Sequence, residues 1–171
     1  MSASHTYVLD ANSFIEAKRR YYAFDLCPGF WEALLWHHER GAIGSIDRVK
    51  TELQRGGDDL TKWVETVMPT VCFASTDSPP VIDCFRDVMS WVQAQPQFLP
   101  EAKAEFAGSA DAWLVAYAKV TGRVLVTQEV LNKEVRRKVP IPNVCEAFGV
   151  RYLDTFEMLR SLQAQFTWQP Q

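Results

Sequence analysis

Apolar and polar positions alternate in blocks along the chain, and the first block is the most informative. The run Tyr7-Val8-Leu9 ends abruptly in Asp10, Asn12 and Ser13, after which Phe14 and Ile15 resume apolar character at helical spacing. This pattern predicts a buried strand over 6–9 that turns directly into a helix over 13–22, with Asn12 or Ser13 as its cap. The same logic runs down the chain. Helices are predicted over 30–40, 47–55, 58–67, 79–94, 101–106, 110–120 and 155–165. Strands are predicted over 42–46, 71–74, 123–127 and 150–153. Gly41, Gly56-Gly57 and Gly122 mark helix ends. Pro140 and Pro142 mark 139–144 as an interrupted segment. Strands that alternate with helices imply βαβ units, so the expected fold is a single-domain, three-layer α/β/α sandwich with a mostly parallel sheet.

Composition narrows the class. The 171 residues, 47% hydrophobic and 23% charged, are ordinary for one globular domain. No apolar run approaches the roughly 20 residues of a membrane span, and Met1-Ser2-Ala3-Ser4-His5 lacks the segments of a signal peptide. Cys27, Cys72, Cys84 and Cys145 are scattered with no CxxC pair, so neither a zinc site nor a disulfide framework is expected. Reduced cysteines fit a cytoplasmic protein. The net charge of −3 gives no global basic field for nucleic acid.

Four acids stand out because their surroundings are apolar. Asp10 ends the first strand. Glu52 borders the apolar face of the helix over 47–55. Asp111 opens the helix over 110–120 among Ala110, Ala112, Trp113 and Leu114, and Glu129 follows the strand that ends near Thr127. Each has a structural explanation as well. Glu52 fits a solvated helix face, Asp111 complements a helix dipole, and Glu129 fits an exposed loop. Asp10 is hardest to explain that way, because ligands in open α/β sheets bind beyond the carboxyl ends of strands.

Taken in order, Val8-Leu9-Asp10-Ala11-Asn12-Ser13-Phe14-Ile15, the segment ending in Glu52-Leu53, Ser109-Ala110-Asp111-Ala112-Trp113 and Val124-Leu125-Val126-Thr127-Gln128-Glu129 resemble the motifs of PIN-domain nucleases. The resemblance spans nearly the whole chain and is nearest to toxin halves of bacterial toxin–antitoxin pairs. It implies that Asp10, Glu52, Asp111 and Glu129 bind Mg²⁺ or Mn²⁺ and cut single-stranded RNA, with Asn12 and Thr127 as polar support. It also implies a cognate antitoxin, itself of DNA-binding type, and leaves a homodimer open. The fourth motif departs from the family's Thr-x-Asp pattern, since Glu129 stands after Thr127-Gln128. Asp47 is an alternative second-motif acid.

An oxygen-only donor set suits Mg²⁺, whereas histidine and thiolate would favour zinc. His37 and His38 face different directions on a helix, and His5 is set aside as terminal. Phosphate contacts are expected from Arg48, Lys133, Arg136, Arg137 and Lys138, while Lys18 to Arg20 fit a helix end. Trp31, Trp36, Trp63, Trp91 and Trp113 are expected in the core, and Phe14, Tyr21 and Tyr22 against a partner. A phosphatase of the haloacid-dehalogenase type would need a second Asp where Asn12 stands, and a dinucleotide-binding turn would need glycine. The remaining alternative is a catalytically inactive member that binds protein or RNA.

Overall fold

The computed structural model describes residues 6–170; His5 lies outside them. Five strands form one sheet in which every pairing is parallel: β1 Tyr7–Leu9, β2 Ile43–Ile46, β3 Phe73–Ala74, β4 Val124–Val126 and β5 Tyr152–Leu153. β1 and β4 are apolar and buried at every position, as a sheet covered on both faces requires. The spatial order is β3-β2-β1-β4-β5. The chain thus steps outward from β1 to β2 and β3, then returns to lay β4 along the other side of β1.

That reversal settles where the helices go. Crossovers between parallel strands are right-handed, so outward and return steps deposit their helices on opposite faces. α1 Ala11–Glu16, α3 Asp47–Gln54 and α4 Asp59–Thr66 belong to the outward steps, and α3 packs on both α1 and α4. α2 Pro28–Glu39 packs on β2. On the return side α5 Pro79–Ala94, α6 Pro100–Gly108, α7 Asp111–Thr121 and α8 Ile141–Phe148 pack together. The last helix, α9 Thr155–Ser161, starts from a capping box made by Asp154 and Glu157. The result is the three-layer α/β/α architecture. Its reversal places a switch point between β1 and β4, where an open sheet splays a crevice at its carboxyl edge.

Several elements differ from the sequence expectation, each for an identifiable reason. The first helix is capped by Asp10, not Asn12 or Ser13, and after Glu16 it loosens into a π-helical turn over Ala17–Tyr21. The strand expected over 71–74 is half 3₁₀ turn, Thr70–Cys72. The segment over 139–144 is not interrupted at all. Pro140 caps α8 and Pro142 sits in its first turn, where a proline's missing N–H costs nothing. Phe14 is core, 1% exposed, and unavailable to a partner, while Tyr21 is open to solvent. Trp36 is half-exposed under the guanidinium of Arg40 and is not core.

Candidate functional site

The switch point is built from groups far apart in sequence. Asp10 leaves β1 with its N–H donating to the Val126 carbonyl at the end of β4 (3.1 Å). Its carboxylate is fully enclosed, 2% exposed, and accepts from both strands' continuations. Oδ1 accepts from the N–H and the hydroxyl of Ser13 at 2.6 Å each, and Oδ2 accepts from the Thr127 hydroxyl at 2.7 Å. The Ser13 hydroxyl also lies 3.1 Å from the Val126 carbonyl, and its single proton serves one acceptor at a time. Burial raises the Asp10 pKa from 3.8 to about 6; the Ser13 and Thr127 hydrogen bonds oppose this, and the charge of Glu129 adds to it.

The other acids arrive from three further elements. Glu52, on α3, accepts the Ala110 N–H at 2.7 Å and so ties α3 to the positive end of α7. Asp111 is the first residue of α7, and its N–H donates to the Ser109 hydroxyl. Among the described residues nothing donates a hydrogen bond to its carboxylate. Burial pushes its pKa up to about 8, with Glu129, Asp10 and Glu52 adding repulsion in that order and Lys138 opposing. Glu129 has both oxygens engaged: Oε2 accepts the Ile141 N–H at the start of α8 (2.7 Å), and Oε1 pairs with the Lys138 ammonium. All four acids line one cavity of about 180 Å³, together with Asn12, Glu105, Ser109 and Lys138 and a wall that includes Phe106 and Val139. Asn12 and Glu129 also line an adjoining groove of about 370 Å³ that contains Arg20, Tyr21 and Gln128.

The basic residues divide. Lys138 is inside the cavity, and Lys133, Arg136 and Arg137 are exposed on the same loop without lining it. Arg48 is turned elsewhere: its guanidinium lies 4.4 Å over the Trp113 ring and donates to the Thr76 hydroxyl. Asp47 caps the same corner, accepting from Thr76 and Arg48, so it serves structure and not the cavity. Partial burial disfavours the Lys138 charge. The hydrogen bond and charge of Glu129, then Asp111 and Glu105, nevertheless hold its pKa above the ordinary lysine value. Sequence reasoning missed Glu105, which no motif marks, and Ser13 as a donor to Asp10.

The donor set, five carboxylates with the Asn12 amide and the Ser109 hydroxyl, has the chemistry of a hard divalent cation. Among the described residues no three acids are yet drawn together at ligating distance. The Asp111 carboxylate accepts no hydrogen bond from the described residues and shares the cavity with four others, and the charge of Lys138 only partly offsets their repulsion. The chemistry of the donors suits such an ion, while their spacing in this structure is wider than a bound ion requires.

Residues 7–166 match the family described as domain of unknown function DUF4411. No curated protein matches the chain. Among solved structures the chain is similar to FitAB bound to an IR36 DNA fragment, with 14% identity, a TM-score of 0.55, and coverage of 87% of this chain and 94% of that one. It is similar also to VapBC2 from Rickettsia felis bound to DNA from its promoter (12% identity, TM-score 0.52, 87% and 98% covered). FitAcB from Neisseria gonorrhoeae matches at 14% identity and TM-score 0.55, with 86% and 96% covered. At such identities the likeness speaks to the fold, which is PIN-like. The chain belongs to the DUF4411 family.

Proposed function

We propose that this protein is a metal-dependent endoribonuclease and the toxin half of a toxin–antitoxin pair. The observation that carries the reading is the Asp111 carboxylate, donor-free beside four other acids at the β1/β4 switch point. Asp10, Asp111 and Glu52 would hold Mg²⁺ or Mn²⁺. A divalent ion there supplies an activated water and neutralises charge on the phosphoryl oxygens. The chain's own residues do the rest. Ser13 and Thr127 lock the Asp10 carboxylate in one orientation, and the Ala110 N–H does the same for Glu52. Asp111 stays free to adjust and holds a proton at neutral pH while the cavity has no added charge. Lys133, Arg136 and Arg137 offer exposed cations beside the cavity for RNA phosphates.

Purified protein is expected to cleave single-stranded RNA with Mg²⁺ or Mn²⁺, to lose that activity in chelator and to regain it when the ion is restored. Cleavage indifferent to chelator would refute the metal reading. RNA binding without cleavage under any divalent ion would establish the inactive binding module instead. The saturated hydrogen bonding of Glu129 is the feature that favours that second reading.

The structural neighbours FitAB and VapBC2 were solved on DNA, in VapBC2 on promoter DNA. That supports a DNA-binding antitoxin as this chain's partner. Expression of the chain without such a partner is expected to arrest growth, read as colony formation after induction. Normal growth with abundant folded protein would count against a toxin.

A further inference from the structure

The loop between β4 and α8 is built to hold one cation in one place. Asn132 turns it, accepting from the N–H groups of Glu134 and Val135 at 3.0 and 3.1 Å. Asn143, on α8, clamps Asn132 from both sides, accepting its N–H and donating to its carbonyl. The Gln97 amide donates to the Val135 carbonyl and the Leu99 N–H to that of Arg136, each at 2.8 Å. Beyond them Val139 is buried and Ile141 donates to Glu129. The backbone on both sides of Lys138 is therefore fixed. Its ammonium sits on Glu129, whose side chain is 9% exposed, and it is the one cation among the residues lining the four-acid cavity. The lysine side chain itself is 51% exposed, so it can swing into solvent without unpacking anything.

We propose that Lys138 is a built-in counter-ion, held on Glu129 at the edge of the acidic cavity, and that it competes with the divalent ion for the cavity's negative charge. The inference rests on the metal-site reading given above. An ammonium on Glu129 and a divalent ion among Asp10, Glu52 and Asp111 line the same cavity and repel, so the ion binds more weakly while the lysine stays and favours its swinging out. Glu129 then acts as the anchor of the lysine, with Oε1 on the ammonium and Oε2 on the α8 N–H of Ile141. A glutamate is suited to this, because its longer side chain reaches both the α8 N-terminus and the loop.

The test is Mn²⁺ binding to the full chain by titration calorimetry, with no RNA present. Lys138→Gln keeps an amide able to donate to Glu129, so the fold is retained while the charge is lost. Its Mn²⁺ dissociation constant is expected to fall about tenfold or more relative to wild type. Lys138→Arg keeps the charge and is expected to stay near wild type. Unchanged or weaker binding by Lys138→Gln overturns the proposal, as does equal tightening by Lys138→Arg. Asp111→Asn separates the two levels of argument. If wild type binds Mn²⁺, Asp111→Asn does not, and Lys138→Gln matches wild type, the metal site stands and the competing lysine falls. If neither wild type nor Lys138→Gln binds Mn²⁺, both fall.

Discussion

Asp10→Asn and Asp111→Asn are each expected to lower Mg²⁺-dependent RNA cleavage by about two orders of magnitude or more. Neither change should harm the fold. Asparagine at position 10 still presents one oxygen to the Ser13 N–H and hydroxyl, and its amide can meet Thr127, whose hydroxyl accepts as readily as it donates. At position 111 the carboxylate accepts no hydrogen bond from the described residues, so the substitution breaks none and removes the capacity to ionise. Glu129→Gln should cost less, because an amide oxygen can still take the Ile141 N–H. Initial rates on a single-stranded RNA, with circular dichroism to confirm folding, decide the matter. Equal rates for wild type and Asp10→Asn, in preparations free of contaminating nuclease, would end the catalytic reading.

Asp111→Asn is also expected to melt higher than wild type in chelator, by an amount that grows with pH. The Asp111 pKa rises from 3.8 in the unfolded chain to about 8 in the fold, so the folded state favours the protonated acid. Below about pH 4 both states are protonated and the site costs nothing. Between about pH 4 and pH 8 the unfolded chain ionises while the folded one keeps its proton. Each pH unit crossed in that window lowers stability by about 1.4 kcal/mol for such a group. Above pH 8 the loss is complete and constant. Asp10, raised to about 6, adds a loss about half as large that is complete by about pH 6. Wild-type protein should therefore melt progressively lower from pH 4 to pH 8, and Asp111→Asn should escape the larger part of that decline. Mg²⁺ should stabilise wild type by mass action and the variant much less. Thermal melts across this range check both points. A variant that melts lower than wild type at pH 8, or a gap that does not widen with pH, would show that the acids do not repel within one site.

Much of this architecture was legible in the chain because local and global signals agree. Val124-Leu125-Val126 is too short and β-branched for a helix and is a strand, and the boundaries expected for α5 are those observed. Asp58 caps α4, and Gly122 ends α7 in a left-handed conformation. The failures occur where one residue type has two uses. Prolines break a helix in its middle but open one at its start, so Pro140 and Pro142 concealed α8. Asp10, Asn12 and Ser13 are all good caps, and only the position of β4 decides that Asp10 takes the role. The basic run from Lys133 to Lys138 reads as one patch, yet the loop's turns send Lys138 inward and leave Lys133, Arg136 and Arg137 outside. A linear charge pattern carries no record of such turns. Arg48 was likewise drawn away by Trp113, a contact between α3 and α7 that spacing along either helix does not reveal.

The hydrogen bond from Thr127 to Asp10 joins residues 117 positions apart. Loop closure over such a distance is slow and is rewarded only when both strands are present. A ribosome making this chain releases Asp10 first and Glu52 and Asp111 later, and β4, Glu129 and the start of α8 emerge only after those three acids. Until then the first acid has no partner strand to orient it, and Glu129 and the lysine that pairs with it are both still to be made. A nascent chain therefore cannot assemble the acidic cavity until β4 has been made and has paired with β1.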